Sequence, residues 1–233
     1  GDIMNVFEIK LKVFLLKDIE IKEIQTVISS FIDKSLAKDK ELLELHNKNT
    51  FKYYCFDSLY PIGENSLYNG ENVYTIRIRT ISRKLAEYFL GDLPNEYDEN
   101  LKGLVAEIKI LPKKHLDKIY ALTPVVIKNN DGYWKNKIAL EEYERRLTEN
   151  LIKKYNSFTK TRMDEEVELY NSIEFKNQKP ISIKYKEISL LGDKVSLKVA
   201  DDKLSQELAY MCLGTGLGEM NARGLGFMNY RWL

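Results

Sequence analysis

Two histidines, His46 and His115, are the only imidazoles in the 233 residues. Imidazole exchanges protons near neutral pH because its ordinary pKa is about 6.5, so each is a candidate for general acid–base work. His46 sits in a polar stretch with Asn47, Lys48 and Asn49, between an amphipathic segment and an aromatic-rich one. A histidine there is either a reacting group or a plain surface residue, and pattern alone leaves both readings open. His115 follows Lys113 and Lys114. That basic cluster is better suited to touching a phosphate than to chemistry, because a lone histidine does not define a site.

The other concentration of chemistry is glycine. Gly214, Gly216, Gly218, Gly224 and Gly226 are five of the twelve glycines, all within the last 20 residues. Such density permits positive φ and lets backbone N–H groups approach a ligand, for which a phosphate backbone is a natural partner. A plain structural turn is the competing reading. A dinucleotide-binding loop is excluded, because that loop opens a helix inside a βαβ unit, whereas Glu219 follows Gly218 and seven residues follow Gly226.

Metal chemistry finds no support in the pattern. The chain has no HExxH, no zinc-type spacing and no compact acidic set recurring on predicted strand ends. Asp57 is a lone acid beside Ser58, and Asp164, Glu165 and Glu166 read as a solvated loop. Cys55 and Cys212 are too few for a disulfide framework and are expected as buried free thiols. No metal and no cofactor are expected.

The elements that position these groups follow from periodicity. Residues 6–15 alternate, with Phe7, Ile9, Leu11 and Val13 opposite Glu8, Lys10 and Lys12, which predicts a half-buried strand. Residues 21–37 carry Ile21, Ile24, Ile28 and Phe31 at helical spacing. Strands are predicted over 51–59 and 73–81, then a helix capped by Ser82 and running to about Leu90, then a strand over 104–111 with Ala106, Ile108 and Ile110 on one face. Strand, helix, strand, strand, helix, strand is the ferredoxin-like (RRM-like) order. The second half repeats it with an extra strand: strands over 119–127, 167–175, 181–189 and 194–199, a helix over 139–155 with Leu140, Tyr143, Leu147 and Leu151 inward, and a helix marked by Leu204, Leu208 and Met211. The glycine-rich loop then leads into a last strand over 226–232. The expected fold is α+β, with tandem ferredoxin-like domains over 1–112 and 113–233 that meet near Pro112.

Composition bounds the rest. Hydrophobic residues are 44% and charged residues 30%, enough for a core and against disorder. A net charge of +1 argues neither for nor against nucleic acid, so an RNA-binding surface would have to come from segregation of charge. No apolar run approaches the roughly 20 residues of a membrane helix, and no signal peptide is visible, so a cytoplasmic protein without membrane contact is expected. Residues 1–3, ahead of Met4, read as an expression remnant.

The run Gly216-Leu-Gly218-Glu-Met-Asn-Ala-Arg223-Gly224-Leu-Gly226 resembles the GhGxxxxxGhG loop of CRISPR-associated repeat-processing endoribonucleases, family six of the Cas proteins in the RAMP superfamily. That loop carries a basic residue in its middle, which Arg223 matches. Leu45-His46-Asn47 and 51–59 are similar to the family's H…K…F-S-L region, 147–155 to the helix of its second half, and 180–185 to a later strand.

The resemblance implies a metal-independent endoribonuclease that binds and cuts the repeat of precursor CRISPR RNA by 2′-hydroxyl attack. His46 would move the proton. Lys52 would stabilise the developing charge, with Lys48 as its substitute. RNA contacts are expected from Gly216, Gly218, Arg223, Gly224, Gly226, Arg77, Arg79, Lys109 and Arg231. Further partners would be other Cas proteins of an interference complex or, in a homodimer, a second copy of the chain. Some relatives also use a tyrosine on the first helix. Phe31 stands there in this chain, which keeps alive a rival reading, a noncatalytic repeat-RNA-binding protein.

Overall fold

The computed structural model describes residues 4–163 and 167–233; residues 1–3 and the acidic run 164–166 lie outside the described residues. The first half runs β1 (Phe7–Leu15), β2 (Ile19–Glu20), α1 (Ile24–Leu36), α2 (Lys40–Asn47), β3 (Tyr54–Phe56), β4 (Leu67–Tyr68), β5 (Asn72–Thr80), α3 (Arg83–Asp92) and β6 (Leu101–Ile110). The second runs β7 (Leu116–Ala121), α4 (Leu140–Thr159), β8 (Tyr170–Phe175), β9 (Ile181–Tyr185), β10 (Ile188–Gly192), β11 (Val195–Val199), α5 (Lys203–Thr215) and β12 (Met228–Trp232).

Two four-stranded antiparallel sheets result, in the orders β3-β5-β1-β6 and β12-β7-β11-β8. Numbered within its own half, each sheet has the order 2-3-1-4, so the fold is a tandem pair of ferredoxin-like units. The alternation in β1 buries Phe7, Ile9, Leu11 and Val13, and α1 lays Ile24, Ile28, Phe31 and Ile32 over them. Ser82 starts α3 as expected, its Oγ accepting from the Leu85 N–H at 3.2 Å.

Several elements differ from the pattern reading. The stretch 51–59 is strand only at β3, and the strand expected over 119–127 ends at Ala121, after which Val125 and Val126 make single bridges to Asp193 and Glu219. The segment 181–189 is a hairpin, β9 paired with β10, because Lys186 turns the chain at φ 55°. Leu140, expected inward, is exposed at the first turn of α4. Ile108 and Ile110 stay exposed because β6 is an edge strand.

The face of β1 expected in solvent is partly covered. Glu8 and Arg79 are cross-strand partners, and both are buried where the second half packs on the first sheet. Arg79 Nε donates to Glu8 Oε2 at 2.8 Å, its Nη1 donates to the Met228 carbonyl at 2.5 Å, and its guanidinium lies 4.3 Å from the Phe227 ring. Val6, Ile81 and Leu111 of the first half join the apolar core of the second. The RNA-contact expectation for Arg79 is therefore corrected. At 1% exposure it is a seam residue, and removing one partner of such a buried pair costs roughly 3–5 kcal/mol.

Candidate functional site

His46 is placed by a helix that periodicity did not reveal. Asp39, at the N-cap of α2, accepts from the Leu42 N–H at 3.0 Å, and buried Leu42 fastens the helix to the core. His46 then falls in the last turn. Lys52 folds back on that end, donating from Nζ to the Leu45 carbonyl at 2.8 Å and to the Lys48 carbonyl. The final carbonyls of a helix lack intrahelical donors, so this ammonium closes α2. It has three N–H bonds and uses two, leaving one for an incoming oxygen. Burial, and then the nearby charge of Arg223, hold its pKa below the usual lysine value. Tyr53, at φ 62°, turns the chain into β3, and its ring meets Phe158 edge-on at 5.1 Å.

The facing wall is the glycine loop that follows α5. Lys154, buried on α4, donates to the Gly216 carbonyl at 3.2 Å, the Gly218 carbonyl at 2.7 Å and Asn221 Oδ1 at 2.8 Å. All three ammonium N–H groups are thus satisfied. Burial pushes its pKa down to about 8. Asn221 donates in turn to the Leu217 and Leu225 carbonyls at 3.1 and 2.8 Å, closing the loop on itself.

The structure supplies a different reason for the glycines than approach to phosphate. A Cβ at Gly224 (φ +82°) would stand 2.4 Å from the Phe56 ring, and one at Gly226 (φ +73°) 2.0 Å from the Leu217 carbonyl oxygen. The N–H groups of Gly216, Gly224 and Gly226 donate within the protein, to the Cys212, Asn221 and Pro124 carbonyls. Close packing, more than ligand approach, explains these residues. Gln25 on α1 donates to the Gly224 carbonyl at 2.8 Å, so the loop of the second half is docked on the first.

That docking aims Arg223 at α1, where its Nη1 donates to Ser29 Oγ at 3.0 Å and Asp33 Oδ2 at 2.9 Å. Asp33 Oδ1 lies 3.4 Å from His46 Nε2. His46, Lys52, Tyr54, Lys154, Tyr185 and Arg223 border a single groove of about 630 Å³. The structure therefore brings together His46 and Lys52 from the first half and the loop with Arg223 from the second.

Other expected residues stand elsewhere. Arg77 pairs with Asp57 at 2.7 Å and lies over the Phe227 ring. Lys109 is 3.6 Å from Glu8, and Arg231 Nε donates to Asp117 at 2.9 Å. None of the three borders the groove. His115 lies in a separate cavity of about 710 Å³ with Lys113, Lys114 and Asp201. Cys55 and Cys212 are buried free thiols whose pKa values burial raises, that of Cys212 to about 12.

Pattern reasoning missed Asp33, Tyr54 and Lys154. Phe31 is in the core and brings no hydroxyl from α1. Tyr54, on β3, brings one to the groove's edge, buried and without a hydrogen-bond partner among the described residues. Desolvation raises its pKa strongly, and the charge of Asp33 adds to the effect.

Comparison with known proteins agrees with this architecture. CRISPR-associated endoribonuclease Cas6 2 of Methanocaldococcus jannaschii is 28% identical over 221 residues, spanning 84% of this chain and 87% of that protein. A solved structure of a CRISPR associated protein Cas6 superposes with a TM-score of 0.71 at 22% identity, over 97% of this chain and 99% of its own. A second, described as an RAMP protein binding different RNA substrates, gives a TM-score of 0.71 at 18% identity over the same shares. Those two likenesses concern the fold. The sequence profile of CRISPR associated protein Cas6, C-terminal, matches residues 106–230, from within β6 through the glycine loop into β12. With more than half of its length matched in this way, the chain belongs to the Cas6 family.

Proposed function

We propose that this chain is an endoribonuclease that binds the repeat of precursor CRISPR RNA and cuts it without a metal ion. The observation that carries the reading is the shared groove, in which His46 and Lys52 of one half face Arg223 and the glycine loop of the other. RNA holds its own nucleophile. His46 takes the proton from a 2′-hydroxyl, the freed oxygen attacks the adjacent phosphorus, and the 5′-oxygen leaves and is protonated. The products are a 2′,3′-cyclic phosphate and a 5′-hydroxyl. The enzyme contributes alignment, proton transfer and charge stabilisation, the last from the free N–H of Lys52.

The units over 1–112 and 113–233 act together, since neither holds all of the groove. Lys109, Arg231 and Arg77 would meet RNA phosphates outside it, exchanging their carboxylate partners Glu8, Asp117 and Asp57. Gly216, Gly218, Gly224 and Gly226 serve binding by shaping the loop that presents Arg223. The protein works in the cytoplasm on RNA, with other Cas proteins or a second copy of itself as further partners.

Repeat RNA from the same genome, incubated with the protein and a strong chelator, should be cut to a 5′-hydroxyl end. A 2′-deoxy substitution at the nucleotide before the cut should block the reaction. A magnesium requirement with 5′-phosphate products would overturn the mechanism. Phe31 favours a second reading, because α1 lacks the hydroxyl that some relatives use. Tight repeat binding with no cleavage under any of these conditions would establish that noncatalytic role.

A further inference from the structure

The first sheet ends at β6, and the outer edge of that strand is covered only where it begins. There Tyr97 bridges Lys102, and the Gly103 N–H donates to the Glu96 carbonyl at 2.8 Å. After a bulge at Leu104, β6 pairs with β1 alone among the described residues. Leu104, Val105, Ile108 and Ile110 are exposed along this stretch.

The ladder decides which edge groups are open. In an antiparallel pair, successive residues turn their N–H and C=O groups alternately toward the partner and away from it. The Leu111 N–H donates to the Val6 carbonyl at 2.9 Å, and in the same register Glu8 stands opposite Lys109 and Lys10 opposite Glu107. The odd-numbered residues thus bond to β1, and the backbone groups of Ala106, Ile108 and Ile110 face outward. A row of unpaired groups beside exposed aliphatic side chains is a template for another strand.

The charges select the strand. Glu107 and Lys109 share one face, with Ile108 between them on the other. Laid antiparallel against its own copy about Ile108, β6 sets Ile108 opposite Ile108, Ala106 opposite Ile110 and Glu107 opposite Lys109. The outward-facing residues are then the hydrogen-bonded ones on both strands. Each row across the joined sheets alternates in sign, Lys10 and Glu107 of one copy being followed by Lys109 and Glu8 of the other. Moving the axis by one residue sets Glu107 against Glu107 or Lys109 against Lys109, and like charges directly opposite are destabilising. Lys109 has three N–H bonds, so its 3.6 Å contact with Glu8 leaves donors for the copy.

We propose that β6 is a dimer interface, pairing antiparallel with β6 of a second copy about a two-fold axis at Ile108 and joining the two first sheets into one. Such an interface is self-complementary, as a two-fold requires. It does not depend on the cleavage reading.

Sedimentation of the RNA-free protein should show the wild type passing from monomer to dimer over the micromolar range. Amide hydrogen exchange at Ala106, Ile108 and Ile110 should slow as concentration rises. Charge variants test the register. Glu107→Lys sets lysine against Lys109, and Lys109→Glu sets glutamate against Glu107. Each alone should weaken dimerisation by about tenfold or more, because the opposite-charge pairs across the axis become like-charge pairs. Mixed in equal amounts, the two variants should dimerise about as well as the wild type, since every such pair is again of opposite sign.

A wild type that stays monomeric throughout that range overturns the proposal. So does a dimer in which the three amides exchange as fast as in the monomer, or a pair of variants that gains nothing on mixing. Lys109→Glu faces Glu8 of its own chain. Should it fail to fold, the exchange pattern of the wild type decides.

Discussion

The two histidines occupy two cavities of similar size, and each has an aspartate beside it. His115 has the shorter contact, 3.0 Å from Nε2 to Asp201 Oδ1, against 3.4 Å for His46 and Asp33. Distance alone would choose His115. The surroundings reverse that choice. The side chain of Asp201 is 83% exposed, whereas Asp33 is 27% exposed and held by Arg223. An exposed pair is worth little, since water screens it and its side chains must be ordered to form it. A carboxylate fixed by a second partner is already in place when substrate arrives, and such preorganisation is what accelerates a reaction.

The sharpest way to break this comparison is to remove each ring. His46→Ala should reduce cleavage by roughly 10²–10⁴-fold while repeat binding persists, because a proton-transfer group acts mainly in the transition state. His115→Ala should leave the single-turnover rate within about threefold of wild type. The opposite pattern would move the chemistry to the junction cavity.

Next in size is the support of the loop. Lys154→Met would leave the Gly216 and Gly218 carbonyls and Asn221 Oδ1 without their donor. Denaturant unfolding should show a loss of about 2–4 kcal/mol, from buried acceptors left unsatisfied. Cleavage should fall with it, since Arg223 rides on that loop. The same residue gives a pH signature. Its folded pKa, about 8, lies below the ordinary lysine value of about 10.4. Between those values the unfolded chain binds more protons, so stability attributable to Lys154 should rise as pH climbs from 8 to 10.4. Subtracting the Lys154→Met profile isolates it, and a flat difference would contradict the assignment.

The smallest effect tests the buried phenol. The Tyr54 hydroxyl makes no hydrogen bond with the described residues, so Tyr54→Phe should change stability by less than about 1 kcal/mol. A loss of cleavage at unchanged stability would make Tyr54 a member of the site in place of the helix tyrosine.

Much of the fold was legible because it rests on strong periodic signals. The alternation of residues 6–15 and the Ser82 cap needed no tertiary information. Helix α2 was overlooked because it is only eight residues long and buries only Leu42, although Asp39 three residues earlier is a capping signal. The β9–β10 hairpin read as one strand because its turn contains no glycine or asparagine and both arms carry aliphatic residues at alternate positions, Ile181 and Ile183 in one and Ile188 and Leu190 in the other. In the site, His46, Lys52 and Arg223 could be named from motif and resemblance. Asp33 could not, since its role depends on a loop 190 residues away docking on α1. Lys154 carried a fair clue, lying on the stripe of Leu147 and Leu151, where a cation has to find partners. Arg79 was misjudged for a related reason. The solvent face of an isolated sheet became the seam of a two-part molecule, and its charge pairing with Glu8 was visible only as opposite signs across two strands.

That seam has a mechanical consequence. Sliding the halves apart by an ångström or two would strand a guanidinium and a carboxylate before water could reach them. The buried pair therefore resists small displacements of one half against the other. If the chain binds repeat RNA as proposed, the groove acts as a fixed die and the repeat has to bend to its shape. Most of the ordering cost of recognition then falls on the nucleic acid, so repeats already folded close to the required shape should be cut first when several compete for the enzyme.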